Sequence, residues 1–289
     1  VVRARDLHDE RTLLAKLARV QERKRADVRD LFRDLRGDPG ARDDIEHLED
    51  PSIAAVYAQF LMPFRARARI VGGEALGDAL KRPGAVVFEG AQGVLLDEWL
   101  GFHPYTTWST CTADNALALL AESAYEGEVT RFGVVRAYAT RHGAGPFVTE
   151  DPELGARIPD RHNRLDPWQG GFRVGWFDAV ATRYAIRVCG GIDALAVTCL
   201  DRLRDEPVWR MANAYVMDGA PTRDLEPGPF GDLDYQAALT GQVLRARADY
   251  VTTTERGDPR AHVEAIAAET ATVRLLSSGP TAADKRWVE

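Results

Sequence analysis

Residue types able to do chemistry gather in a few short stretches of this sequence. In Glu89-Gly90-Ala91-Gln92-Gly93 an amide side chain stands between glycines. Glycine lets a backbone come close to a ligand, and the Gln92 amide offers a donor and an acceptor to a base or sugar; a tight strand-to-helix turn uses the same residues. Tyr105-Thr106-Thr107-Trp108-Ser109-Thr110-Cys111-Thr112 sets hydroxyls ahead of a helix beginning near Ala113. Such hydroxyls either cap the helix or hold a phosphate, because both uses draw on the same orphan N–H groups and helix dipole. In Thr140-Arg141-His142-Gly143-Ala144-Gly145-Pro146-Phe147, Arg141 and His142 could meet an anion beside a glycine-rich backbone. His142 has the chemistry of a general acid or base, and equally that of a satisfied structural histidine. Thr198-Cys199-Leu200-Asp201 ends on a carboxylate that can accept two hydrogen bonds from a guanine edge or cap a helix. Ser277-Ser278-Gly279-Pro280 reads as a pocket lining or a simple turn. Neither the dinucleotide GxGxxG nor the phosphate-binding GxxxxGK[ST] spacing occurs.

Strands and helices must present these stretches. Residues 9–36 read as helix, with Leu13, Leu14, Leu17 and Val20 in one apolar stripe and Val28, Leu31, Phe32 and Leu35 in another. Gly37-Asp38-Pro39-Gly40 breaks the pattern. The spacing predicts a second helix over 51–61, with Ile53, Val56, Tyr57 and Phe60 inward, and a shorter one over 74–81. Residues 85–88 read as a buried strand entering the Gly90 turn, and 132–138 form a further apolar run. A helix over 177–188, closed by Gly190-Gly191, leads to a strand over 194–200 that ends on Asp201. A last helix and strand cover 259–270 and 273–276, while 151–170 and 204–234, rich in Pro, Asp and Gly, read as loops. This alternation predicts an α/β protein with a central, mainly parallel sheet and flanking helices. In such sheets ligands collect outside the C-terminal strand ends. Residues 9–65 form a helical excursion within one domain over 1–289.

With 289 residues the chain can bury a core that needs no disulfide or metal. Its 45% hydrophobic and 28% charged residues exclude long disorder. A net charge of −7 argues against a nucleic-acid or anionic-membrane partner. Four lysines leave 33 arginines among the 37 basic residues, the mark of GC-rich coding, so single arginines carry little information. Cys111, Cys189 and Cys199 lie far apart with no CxxC pair, which predicts reduced thiols in the cytoplasm. No membrane-length apolar run and no leader are visible. Val1-Val2-Arg3 lacks an initiator methionine, so the chain is expected to open inside a longer fold.

Together and in order, the stretches resemble the adenylosuccinate synthetase family. Its FEGAQG strand and turn, followed by LLD, matches Phe88-Glu89-Gly90-Ala91-Gln92-Gly93 and Leu95-Leu96-Asp97. Its G-x-x-P-[YF]-x-T-S run matches Gly101, Pro104, Tyr105 and Thr107, with Trp108 in place of serine. The TRxGAGPFPTE segment matches residues 140–150, and GW-[FL]-D matches Gly175-Trp176-Phe177-Asp178. LT-x-LD corresponds to Val197-Thr198-Cys199-Leu200-Asp201, and S-x-GP to Ser277-Ser278-Gly279-Pro280.

The resemblance implies a fold akin to the P-loop NTPases and a cytoplasmic, homodimeric, Mg²⁺-dependent ligase. In that chemistry the γ-phosphoryl group of GTP passes to O6 of IMP, and the amino group of aspartate displaces phosphate. It places Gln92, Gly93, Thr107 and His142 against IMP, with the threonine at its phosphate. Cys199, Asp201, Ser277, Ser278 and Gly279 fall to GTP, Asp201 reading the guanine, and Gln169, Gly170 and Arg173 to the loop that holds the amine donor. The family's GDEGKGK loop, its catalytic aspartate and histidine and its metal ligand match nothing here, so no catalytic residue or metal ligand is assigned.

Three departures shape the expectation. Where the family has TTGRRRR, this sequence reads Asp166-Pro167-Trp168-Gln169-Gly170-Gly171-Phe172-Arg173, leaving one guanidinium for a dicarboxylate. The lysine over guanine is Cys199, and the small residue before GAGPF is His142. The rewritten 166–172 loop favours a ligase that acts on IMP or a purine-like nucleotide with another amine, while the retained Gln92, Thr107 and Asp201 imply that both nucleotides remain. The alternatives are the standard enzyme, using IMP, aspartate and GTP, and a non-catalytic nucleotide-binding relative.

Overall fold

The computed structural model describes residues 1–160, 163, 168, 170–254 and 258–288. The chain divides into two compact units, Val1–Gly84 and Ala85–Glu289.

The first unit is helical: α1 (Glu10–Asp27), α2 (Arg29–Leu35), α3 (Arg42–Glu49), α4 (Ile53–Leu61), α5 (Phe64–Arg67) and α6 (Glu74–Leu80). The single helix expected over 9–36 is therefore two, parted at Val28, whose φ of −107° and ψ of 9° leave the helical region. Asp9 caps α1 by accepting the Arg11 N–H. The Gln21 amide donates to the Leu48 and Asp50 carbonyls, satisfying orphan acceptors at the end of α3. Leu13, Ile45, Ile53, Ala54 and Ala58 form a small buried core. The inward face expected for α4 is corrected: Ile53, Ala54 and Ala58 are buried, while Val56, Tyr57 and Phe60 are exposed. Small alanines let α4 lie close against α1, so its bulkier flank turns outward.

The second unit is α/β. Its main sheet has the order β1-β5-β9-β10, from Phe132–Arg136, Ala194–Thr198, Val273–Ser277 and Lys285–Trp287. The first three strands run parallel and β10 is antiparallel. This is the mainly parallel sheet with flanking helices that the sequence predicts. A two-stranded antiparallel ribbon joins β2 (Ala139–His142) to β3 (Phe172–Gly175). A third sheet is centred on β6 (Trp209–Met217), flanked by β4 (Phe177–Asp178), β7 (Ala220–Thr222) and β8 (Arg247–Thr254). The helices are α7 (Asp114–Glu122), α8 (Pro152–Arg157), α9 (Ala179–Val188), α10 (Leu233–Arg245) and α11 (Pro259–Glu269). Trp176, Phe177, Leu195, Val197, Trp209 and Ile266 head one buried cluster. Phe102, Tyr184, Tyr215 and Leu239 head another.

Several boundaries differ from the sequence reading. Residues 85–88 make no strand, and Val86, Val87 and Phe88 are 44%, 84% and 39% exposed. A strand persists only where a neighbour completes its ladder, and no described residue pairs with this run. Of the apolar run 132–138 only Phe132–Arg136 forms a strand, β1, with β2 starting beyond it at Ala139, and the strand expected to reach residue 200 stops at Thr198. The loop assigned to 204–234 holds β6 and β7, whose apolar positions were masked by the surrounding Asp, Pro and Gly. The loop assigned to 151–170 holds α8, capped by the Asp151 carboxylate on the Leu154 N–H.

Candidate functional site

The loop that carries Thr107 is organised by one carboxylate. Asp97 is 1% exposed. Its Oδ1 accepts the N–H groups of Trp99 at 2.9 Å and Leu100 at 3.0 Å, and its Oδ2 that of Cys111 at 2.7 Å. Both ends of the loop are thereby tied to one side chain, and the Thr107 N–H donates to Leu96 O at 2.8 Å. Thr112 Oγ1 accepts the Asp114 N–H at 3.4 Å, one residue ahead of Ala113, the residue at the N-cap of α7, which makes no side-chain cap bond. The Thr106 and Thr107 hydroxyls bond to no protein group among the described residues, and Trp108 is 97% exposed.

A second loop, Gly143-Ala144-Gly145, is held from behind by two arginines. β2 and β3 pair so that Arg141 lies opposite Arg173 and His142 opposite Phe172. Arg173 donates to Gly143 O at 3.0 Å through Nε and to Gly145 O at 2.8 Å through Nη2, and its Nη1 meets Glu150 Oε2 at 2.8 Å. Arg141 donates to Ala144 O at 2.9 Å through Nε and to Tyr105 O at 3.1 Å through Nη2. This last bond brings the Thr107 loop and the glycine loop together. Burial and the neighbouring Arg173 charge push the Arg141 guanidinium down to about 10. Gly145, at φ +109°, has no room for a Cβ, which would stand 2.3 Å from Arg141 Nη2 and 2.7 Å from Tyr105 Cβ. The His142 ring packs edge-on against Phe172, and its buried Nε2 has no partner.

The residues expected at the guanine meet at the C-terminal ends of two adjacent parallel strands. Val197 pairs with Leu276, so Thr198 and Ser277 leave the sheet side by side. Cys199 takes a left-handed conformation at φ 58°, turning the chain into a 3₁₀ turn, Leu200–Leu203. The Asp201 carboxylate makes no capping bond there and engages no donor among the described residues. Ser277 is 5% exposed, with its hydroxyl on Gly279 O at 3.2 Å. Ser278 N–H donates to Asp284 O, and Lys285 Nζ donates to Gly279 O and Thr281 O, closing the turn.

Not all expected residues join these groups. Gln92 and Gly93 lie on the exposed run before Val94, with no side-chain bond to either loop. Gly170 sits at φ +77°, where a Cβ would stand 3.7 Å from Gly143 Cα, and Gln169 lies outside the described residues.

Two further buried titratable groups are Asp178, which the sequence marks only as the end of a motif, and His262, which it does not mark. Asp178 caps α9 through the Ala181 N–H at 2.9 Å and accepts the Tyr215 hydroxyl at 2.6 Å. Burial outweighs those bonds and pushes its carboxyl up to about 6. His262, fully buried, bonds Ala137 O at 2.7 Å through Nε2 and Thr253 Oγ1 at 2.6 Å through Nδ1. A carbonyl can only accept, so Nε2 carries the proton. Burial pushes this imidazole down to about 4. Nothing in the local sequence marks it, because one partner, the Ala137 carbonyl, lies 125 residues away between β1 and β2.

The family model for adenylosuccinate synthetase matches residues 1–237. The chain belongs to the adenylosuccinate synthetase family. The adenylosuccinate synthetase of Desulforamulus reducens is 40% identical over 172 residues, which cover 58% of this chain and 39% of that protein. That of Thermosynechococcus vestitus is 42% identical over 160 residues, covering 54% of this chain and 35% of the relative. The chain thus spans about two-fifths of the length of these family members. In fold, it is similar to the fully ligated adenylosuccinate synthetase of Plasmodium falciparum, with a TM-score of 0.67 and 18% identity over 96% of this chain and 65% of that one.

Proposed function

We propose that this chain carries the nucleotide-recognition part of a GTP-dependent C–N ligase. The observation that carries this reading is the unengaged Asp201 carboxylate beside Ser277, at the C-terminal ends of neighbouring parallel strands. Guanine offers two adjacent N–H donors to such a carboxylate, and adenine does not. The Thr107 hydroxyl, which meets no protein group among the described residues and lies on a loop clasped to the glycine loop, receives the phosphate of IMP or a purine-like nucleotide, with His142 on the ribbon beside it. N1 of the purine gives up its proton as the γ-phosphoryl group of GTP is transferred to O6, leaving GDP. An amine then attacks C6 and loses a proton, and the C6–O6 bond breaks with its electron pair leaving on phosphate. Among the described residues no three His, Cys, Asp or Glu side chains gather to hold a metal.

The donor is the open point. Arg173, the one guanidinium kept in the donor loop, is occupied by Glu150 and two carbonyls, which supports an amine other than aspartate. Among the described residues no helix is long and apolar enough to cross a membrane. Calorimetry with GTP, IMP and aspartate tests the reading. Binding of both nucleotides without aspartate supports the changed donor; binding of all three supports the standard reaction. Binding of neither nucleotide leaves a non-catalytic relative. Asp201→Asn is expected to weaken GTP about 10- to 100-fold, since the amide sets a donor against a donor. An unchanged GTP affinity would remove Asp201 from the guanine site.

A further inference from the structure

The two arginines behind the glycine loop are not equivalent. They face each other across β2 and β3, where like charges oppose one another. Arg173 has a counter-charge in Glu150, and all three of its guanidinium nitrogens are bonded. Among the described residues Arg141 has none: no carboxylate lies within 4.0 Å of it, and its Nη1 meets no acceptor there. The groups around it are Arg173, the Tyr105 and Ala144 carbonyls, and Gly145, packed against its guanidinium. A half-buried cation held only by carbonyl dipoles is electrostatically incomplete, and an anion is what completes it. Burial and Arg173 already hold its pKa down to about 10, the direction expected when a counter-ion is missing.

We propose that Arg141 is the oxyanion-binding residue of this site, receiving a carboxylate or phosphate group of the substrate through Nη1, while Arg173 only shapes the loop. The inference rests on the ligase reading above and says which guanidinium meets substrate. It reverses the assignment that the donor-loop resemblance gives. It also explains the glycine at 145, whose missing side chain leaves Arg141 and the Tyr105 backbone in contact range.

The test is calorimetric titration of the full chain with inorganic phosphate and, separately, with malonate, alongside GTP and IMP. Saturable binding of at least one small anion is expected, weakened about tenfold or more in Arg141→Gln. Arg141→Lys also lacks the planar clasp but keeps the charge, and is expected to retain most of the binding. A stronger response to phosphate identifies the nucleotide as the source of the oxyanion, and a stronger response to malonate identifies the amine donor. Equal losses in the lysine and glutamine variants would overturn the proposal, because the clasp and not the charge would then matter. So would the absence of saturable binding to the unaltered chain. If the nucleotides bind while the small anions do not, this inference alone fails. If the small anions bind while neither nucleotide does, the ligase reading fails instead.

Discussion

At the residue scale, His262 and Asp178 act on stability in opposite senses. The folded-state pKa of His262 is depressed from 6.5 to about 4, so its contribution is fully present above pH 6.5 and is lost as pH falls towards 4. Asp178 is raised from 3.8 to about 6, so its contribution is present below pH 3.8 and is lost as pH rises through 6. Each shift corresponds to about 3 kcal/mol, and the windows overlap between pH 4 and 6, where the two slopes offset one another. Urea unfolding across this range is therefore expected to show a shallow pH dependence. In His262→Gln the Asp178 slope stands alone, and stability falls as pH rises from 4 to 6. In Asp178→Asn the His262 slope stands alone, and stability falls on acidification. Parallel curves for all three proteins would show that neither group is perturbed as the structure has it.

At the element scale, the loop bearing Thr107 depends on Asp97. Its two oxygens accept three backbone N–H groups at 2.7–3.0 Å, with 1% of the residue exposed. Asp97→Ala strands those donors in a buried setting and is expected to cost about 3 kcal/mol. Because both ends of the loop loosen, affinity for IMP should fall along with the unfolding midpoint. A variant with unchanged stability and unchanged IMP affinity would show that the loop is held by other contacts. The same logic explains why the aspartate of an LLD run is legible as a motif but not as a hub. Its partners at Trp99 and Leu100 are local, whereas Cys111 is reached only when the loop closes.

At the scale of the whole molecule, the main sheet ends on β1 with no partner strand among the described residues, and Phe132 and Val134 are 41% and 71% exposed. An apolar, unpaired edge invites pairing with another chain. Val134→Lys is expected to lower concentration-dependent association, measured by sedimentation, while shifting stability by no more than about 0.5 kcal/mol. Association of equal strength in the variant would place the contact elsewhere. The exposed run 85–88 has strand-forming side chains but no ladder among the described residues. Val, Val and Phe in a row favour a strand only when neighbours supply hydrogen bonds and cover, and period and propensity say nothing about either.

Six ordered motifs sufficed to read the family, and the alternation of strands and helices the α/β class, because turn glycines, strand-end carboxylates and apolar periodicity announce themselves locally. Helices such as α6, α9 and α11 were legible for the same reason: their periodicity and caps are properties of neighbouring residues. Tertiary structure alone decided which arginine of the glycine loop has a counter-charge, since that depends on β2–β3 register and on where Glu150 lies. It also decided that α4 buries alanines rather than aromatics, that β6 is the centre of a sheet, and that His262 is a buried neutral group between strands 125 residues from one partner. Each of these is a matter of what lies across the chain, and hydrogen bonding, desolvation and charge compensation are set by spatial neighbours rather than sequence neighbours.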